Sequence, residues 1–129
     1  MKQEEQMMID HFGIRVKNSE KSKEFYKQLL EPLGYTIAFD IPQAVSFAEE
    51  RTSSSGDFWI QEGIAETTHF AFNAATRKQV DAFYTVGLAI GGKDNGAPGI
   101  REKYKQPYYA AFILDCDGNN VEAVCHEEE

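Results

Sequence analysis

HFGIRVKNSEKSKEFYKQLLEPLG, residues 11–34, and HFAFNAATRKQVDAFYTVGLAIGG, residues 69–92, read as two copies of one unit. At a constant shift of 58 and with no gap, six positions are identical: His11/His69, Phe12/Phe70, Phe25/Phe83, Tyr26/Tyr84, Leu30/Leu88 and Gly34/Gly92. Self-similarity at a fixed offset marks a repeated structural unit. Each copy opens on one of the three histidines, so the repeat sets two imidazoles at equivalent places. Imidazole is the commonest metal-ligating side chain.

The pattern within each copy predicts its elements. Ile9–Val16 reads as a strand, followed by a helix from Ser19 to Leu30 that Asn18 or Ser19 caps. Phe25, Tyr26, Leu29, Leu30 and Leu33 fall on one helical face, and Pro32 with Gly34 closes the helix. Tyr35–Asp40, Ala44–Glu49 and Asp57–Glu62 are short β-prone runs. In the second copy, strand Thr68–Asn73 precedes a capping box at Thr76 and Gln79 and an apolar stripe of Val80, Phe83, Tyr84 and Leu88. The glycines of Gly91–Gly99 suggest a turn-rich connection over a cleft. Tyr108–Leu114 and Asn120–Cys125 read as strands around a turn at Asp115–Asn119. A short strand near Ala89–Gly92 would complete the second unit. The expected fold is α+β, two βαβββ modules over about 8–63 and 67–126, in one domain spanning 8–126 with polar tails at 1–7 and 127–129.

Strand side chains alternate faces with period two. Phe12, Ile14 and Val16 should face the first helix, leaving His11, Gly13 and Arg15 opposite. Phe70 and Phe72 should face the second, leaving His69, Ala71 and Asn73 opposite. In the last strand Val121, Ala123 and Cys125 are the apolar set, so Glu122 points the other way. His11, His69 and Glu122 therefore share the non-helix side of their strands.

Composition narrows the function. The chain has 129 residues, 42% hydrophobic, with nine Phe and six Tyr, enough for a core. A formal charge of -8 argues against nucleic acid or an anionic membrane as partner. No apolar run approaches a membrane span and the acidic start is unlike a secretory signal, so a soluble, cytoplasmic protein is expected. Cys116 and Cys125 lack paired zinc-site spacing and read as ordinary thiols. The glycine-rich run does not match GxxxxGK[ST], which removes a phosphate-cradle reading.

Several motifs together resemble the vicinal oxygen chelate superfamily, which includes glyoxalase I, extradiol dioxygenases and bleomycin-resistance proteins. They are Ile9-Asp10-His11-Phe12, Phe25-Tyr26, Thr68-His69-Phe70-Ala71-Phe72, and Tyr108-Tyr109-Ala110-Ala111-Phe112 running into Asp117-Gly118-Asn119-Asn120-Val121-Glu122. The resemblance implies sheets curled around a cleft, with His11, His69 and Glu122 as ligands of one divalent ion (Zn, Ni, Fe(II) or Mn). It also implies a small-molecule substrate with vicinal oxygens, and a homodimer is expected. Glyoxalase I takes a further carboxylate from the fourth strand. Aligning Gly56 with Gly118 places Ile60 there, and a one-residue change of register would present Trp59 and Gln61, with Gln61 or Glu62 as substitute. Glu122, or alternatively Glu62, is the candidate catalytic base.

The activity readings are a metal-dependent lyase or isomerase, an Fe(II) extradiol-type dioxygenase, or a non-catalytic binding protein of the bleomycin-resistance type. Two His and one carboxylate leave coordination positions open, which suits the first two. Arg15, Trp59, Arg101 and Tyr108 are the candidate substrate-binding residues; Arg15 shares the His11 face and suits carboxylate recognition. Relatives often carry His where this chain has Lys105. His126, outside the repeat, reads as a surface residue.

Overall fold

The computed structural model describes residues 11–49, 56–104 and 107–128. Two βαβββ modules follow one another. The first is β1 (Phe12–Val16), α1 (Ser19–Leu30), β2 (Tyr35–Ile41), β3 (Ala44–Glu49) and β4 (Phe58–Glu62). The second is β5 (His69–Asn73), α2 (Arg77–Ala89), β6 (Lys93–Ile100), β7 (Tyr109–Leu114) and β8 (Asn120–Cys125). Each module makes its own four-stranded sheet, in the orders β1-β4-β3-β2 and β5-β8-β7-β6. The equivalent orders are the duplication seen in three dimensions, and the two sheets do not close on each other. Ile9, Asp10 and Lys105 lie outside the described residues.

The helices begin where their side chains can satisfy orphan amides. Asn18 accepts from the Lys21 amide at the start of α1, and Thr76 with Gln79 forms a reciprocal capping box on α2. After α1 a single 3₁₀ turn, Glu31–Leu33, ends at Gly34, whose φ of 90° only glycine adopts readily.

The core lies between the helices and the helix-facing sides of both sheets. Phe25, Tyr26, Leu29, Leu30 and Leu33 are buried, as their spacing predicts. The repeat-equivalent Phe12 and Phe70 touch each other, ring centroids 5.3 Å apart, and Phe58 packs on Phe70 at 5.4 Å and on Phe72 at 5.3 Å. These rings join the two modules. A second tie is polar: the buried Tyr26 hydroxyl donates to Asp115, which also accepts from the Asn119 amide and side chain.

Four expectations need correction. The glycine-rich run is no loop: Lys93–Ile100 is the edge strand β6, and no strand occupies Ala89–Gly92, where α2 ends. Glycine serves a close approach here, since a Cβ on Gly96 would lie 2.8 Å from Phe112 Cδ1. An edge strand also tolerates Pro98. Leu88 repeats Leu30 in sequence, yet is 42% exposed where Leu30 is fully buried. His126 is half-buried, its Nδ1 3.0 Å from the Pro107 carbonyl.

Candidate metal centre and ligand cleft

The non-helix face of each sheet is open, and the predicted site residues divide between the two. Parallel pairing of β5 with β8 sets Ala71 beside Glu122 and His69 beside Asn120, all on one side. His69 Nε2 stands 3.3 Å from Glu122 Oε1. The other carboxylate oxygen accepts the Tyr108 hydroxyl at 2.6 Å. Glu122 is thus 2% exposed with both oxygens engaged. Tyr108 is held by a stack on Tyr104, centroids 4.1 Å apart, and by the His126 ring at 5.3 Å. Burial first, then the Glu122 hydrogen bond and charge, push the Tyr108 hydroxyl well above its ordinary range, so it remains the donor.

The second ring nitrogen decides what His69 offers. His69 Nδ1 lies 2.9 Å from the Asn120 carbonyl. A carbonyl only accepts, so Nδ1 carries the proton and donates. A neutral His69 then presents a lone pair at Nε2 toward a carboxylate oxygen. Two acceptors at that distance need a cation between or beside them, a proton or a metal ion. Bonds of about 2.1 Å meeting at about 90–110° put two ligands of one ion about 3.0–3.4 Å apart. The donor set and its spacing fit a divalent ion, and the Asn120 carbonyl orients the imidazole as outer partners of ligating histidines do. Asn120 Oδ1, on the same face, is buried with no hydrogen-bond partner.

Among the described residues no group of three or more His, Cys, Asp and Glu side chains stands close enough to hold a metal. His11 heads β1 in the other sheet, exposed, as does Arg15 further along the strand. The observed β1–β4 register places Trp59 beside Gly13 and Gln61 beside Arg15. Ile60 is fully buried in the core, so the alternative register anticipated from sequence is the real one. Gly13 is the repeat equivalent of Ala71, so Trp59 occupies the place in the first module that Glu122 occupies in the second. Glu62 points to the helix side, where it accepts from the Ser19 amide and hydroxyl at 3.0 Å each. Those bonds lower its pKa and bind it to α1, which removes it as ligand or base at the open face.

Two hollows flank these residues. One, of about 640 Å³, follows the open face of the first sheet past Gly13, Arg15, Gln61, Ile64, Glu66 and Thr68. The other, of about 310 Å³, is lined by Arg77, Ile100, Arg101, Tyr104, Pro107 and Tyr108 at the end of the second sheet. Arg15 and Trp59 thus lie on one sheet, Arg101 and Tyr108 on the other. Sequence reasoning missed Phe112 and Asn120 as site neighbours. Phe112 pairs directly with Glu122 across β7 and β8, and the short turn between those strands was the signal that could have placed it. Cys116 and Cys125 are free thiols, and burial followed by the Asp115 charge raises the Cys116 pKa, which disfavours a nucleophilic role.

Residues 8–123 match the sequence profile of the Glyoxalase/Bleomycin resistance protein/Dioxygenase superfamily. The chain belongs to this superfamily. A glyoxalase/bleomycin resistance protein from Albidiferax ferrireducens T118 is similar in structure, at 30% identity and TM-score 0.80, over 92% of this chain and 99% of that one. A lactoylglutathione lyase from Agrobacterium tumefaciens shares the fold at 18% identity and TM-score 0.68, over 93% and 94% of the two chains. A glyoxalase/bleomycin resistance protein/dioxygenase family enzyme from Burkholderia phytofirmans PsJN does so at 16% identity and TM-score 0.70, over 92% and 98%. A search of curated proteins found no match. No helix among the described residues of this superfamily member is long and apolar enough to cross a membrane.

Proposed function

We propose that this chain is a metal-dependent lyase or isomerase of the glyoxalase type, acting on a small molecule with vicinal oxygens. The observation that carries the reading is the His69 Nε2 lone pair set 3.3 Å from the buried Glu122 carboxylate. His69 and Glu122 hold one divalent ion, and His11 of the partner subunit in a homodimer supplies the third protein ligand. The open face of the first sheet supports the dimer: it exposes Phe39 at 49% and Ile41 at 52%, apolar area that a second copy would cover. The lactoylglutathione lyase relationship is consistent with this class of chemistry.

Bound there, the ion would supply Lewis-acid polarisation of substrate oxygens and leave positions open for them. The chain's own groups do the rest. Glu122 would take the proton from the carbon next to a carbonyl on Oε1, the oxygen that faces His69, once that oxygen is released from the ion, while the Tyr108 hydroxyl holds Oε2. His69 is fixed by the Asn120 carbonyl, and Phe112 excludes water on one side. Arg15 and Trp59 from the first sheet, with Arg101 and Tyr108 from the second, bound the cleft.

The test is deuterium incorporation from D₂O next to the carbonyl in a panel of α-hydroxycarbonyl compounds. Incorporation that requires an added divalent ion and disappears in Glu122→Gln is expected. None with any of Zn, Ni, Mn or Fe(II) overturns the reading. The same donors also suit Fe(II) oxygen chemistry, and metal-dependent oxygen uptake with catechols would favour that class instead.

A further inference from the structure

Arg101 stands on the site face with no acidic partner among the described residues. Its guanidinium lies 5.3 Å above the Phe112 ring, and Nη2 donates to the Ala97 carbonyl at 2.9 Å. The glycine-rich edge strand makes its room: a Cβ on Gly99 would come within 3.2 Å of Nη1, and one on Gly96 within 3.3 Å of Nη2. A protein with 21 acidic residues gives this half-buried cation no carboxylate within ion-pair distance among the described residues. The His69 ring lies 6.2 Å from Phe112 on the side of the proposed metal, so one aromatic ring is flanked by imidazole and guanidinium. Tyr104 and Tyr108 wall the adjoining hollow of about 310 Å³, on whose rim Glu102 and Glu128 also sit.

We propose that Arg101 determines specificity by selecting ligands that carry a single carboxylate beyond their vicinal-oxygen end. This rests on the proposed function, since His69 and Glu122 define where that end lies. The ligand spans Phe112, its oxygens at His69 and Glu122 and its carboxylate against the fixed guanidinium. A guanidinium already positioned by a carbonyl and a ring loses little freedom on pairing with a planar carboxylate, and such charge-assisted pairs are the strong ones. The hollow sets Arg77 and Arg101 beside Glu102 and Glu128, a lining with no net charge that gives a polyanion no added attraction, so one carboxylate at this end is the matching ligand class.

Matched probes test the proposal by titration calorimetry: 3,4-dihydroxybenzoate against 4-methylcatechol, and 2-oxoglutarate against 2-oxovalerate. Each pair differs only in carboxylate against methyl at the far end. Each is measured with wild type, Arg101→Gln and Arg101→Lys, with and without Zn(II), after circular dichroism has confirmed folding. Wild type is expected to prefer the carboxylated member about tenfold or more. Arg101→Gln should lose that preference chiefly by weakening the carboxylated member, with a smaller effect on the methyl-ended member, and Arg101→Lys should keep part of it. No preference in wild type, a preference retained in Arg101→Gln, or no binding of either member at millimolar concentration overturns the proposal. A carboxylate preference in protein that takes up no zinc would uphold the role of Arg101 and refute the metal reading alone.

Discussion

At the scale of single residues, the site is a short chain of fixed directions. The Asn120 carbonyl sets the His69 tautomer, His69 faces Glu122, and Tyr108 ties the second carboxylate oxygen. Removing the Tyr108 hydroxyl leaves a buried carboxylate oxygen short of a donor, a loss of about 1–3 kcal/mol. Tyr108→Phe should therefore lower stability by that order in urea unfolding, and by clearly less in a Glu122→Gln background. Equal costs in both backgrounds would show that the negative charge of Glu122 adds nothing to the bond, since a Gln oxygen still accepts from Tyr108. The alternation of β5 and β8 made the faces of His69 and Glu122 legible from sequence. Tyr108 was recognised as a cleft residue, but not as the partner of Glu122. Alternation puts it on the face of Phe112 and Glu122, but its bond to Glu122 runs diagonally across the strand pair, and a side chain's diagonal reach leaves no mark in the sequence.

At the scale of elements, helix starts and core stripes were readable because capping chemistry and helical spacing are local. The boundaries of α1 matched, and so did the capping box of α2. What failed was the glycine-rich strand β6. Its glycines answer to Phe112 and Arg101, contacts that come from across the sheet and leave no local signature. The same holds at Gly92, where an added Cβ would lie 2.6 Å from Ile113 Cγ2 and 2.8 Å from the Gly87 carbonyl. Gly92→Ala is expected to cost about 1–3 kcal/mol by overpacking, read as a lower denaturation midpoint; an unchanged midpoint would mean that β6 and α2 shift freely. Glu62 joins β4 to the start of α1, and its carboxyl is held below its ordinary value of 4.5 by the Ser19 amide and hydroxyl. A depressed folded-state pKa means the stabilisation is present above pH 4.5 and fades as pH falls through the lower folded value. Melting temperatures of wild type and Glu62→Gln should differ at neutral pH and converge in acid. A gap that persists unchanged into strong acid would remove titration of Glu62 as its source.

At the scale of the whole molecule, the duplicated module explains both what is present and what is divided. One face carries His69, Glu122, Tyr108 and Arg101; the other carries His11, Arg15 and Trp59. The repeat itself was legible from six identities, and the fold followed from it. The division of the candidate site was not legible, because the repeat fixes each sheet and not how open faces meet. Trp59 standing where Glu122 stands also makes the two modules unequal, so only one of them retains a carboxylate at that place. If the face of one copy completes the site of another, His11→Ala and His69→Ala proteins, each unable to bind metal, should regain about a quarter of the wild-type metal per chain after equimolar mixing and full subunit exchange, because about half of the dimers are then mixed and each has one intact site of its two. No recovery after demonstrated exchange would place all ligands within one chain or exclude His11.

The most direct test of the central claim is the divalent metal content of purified, tag-free protein after equilibration with zinc and dialysis, compared with His69→Ala and Glu122→Ala. Close to one ion per chain is expected in the wild type, with a near-complete loss in both variants. Wild-type protein that retains no ion, or variants that retain as much as wild type, would contradict it and leave the His69–Glu122 pair as a proton-bridged ion pair.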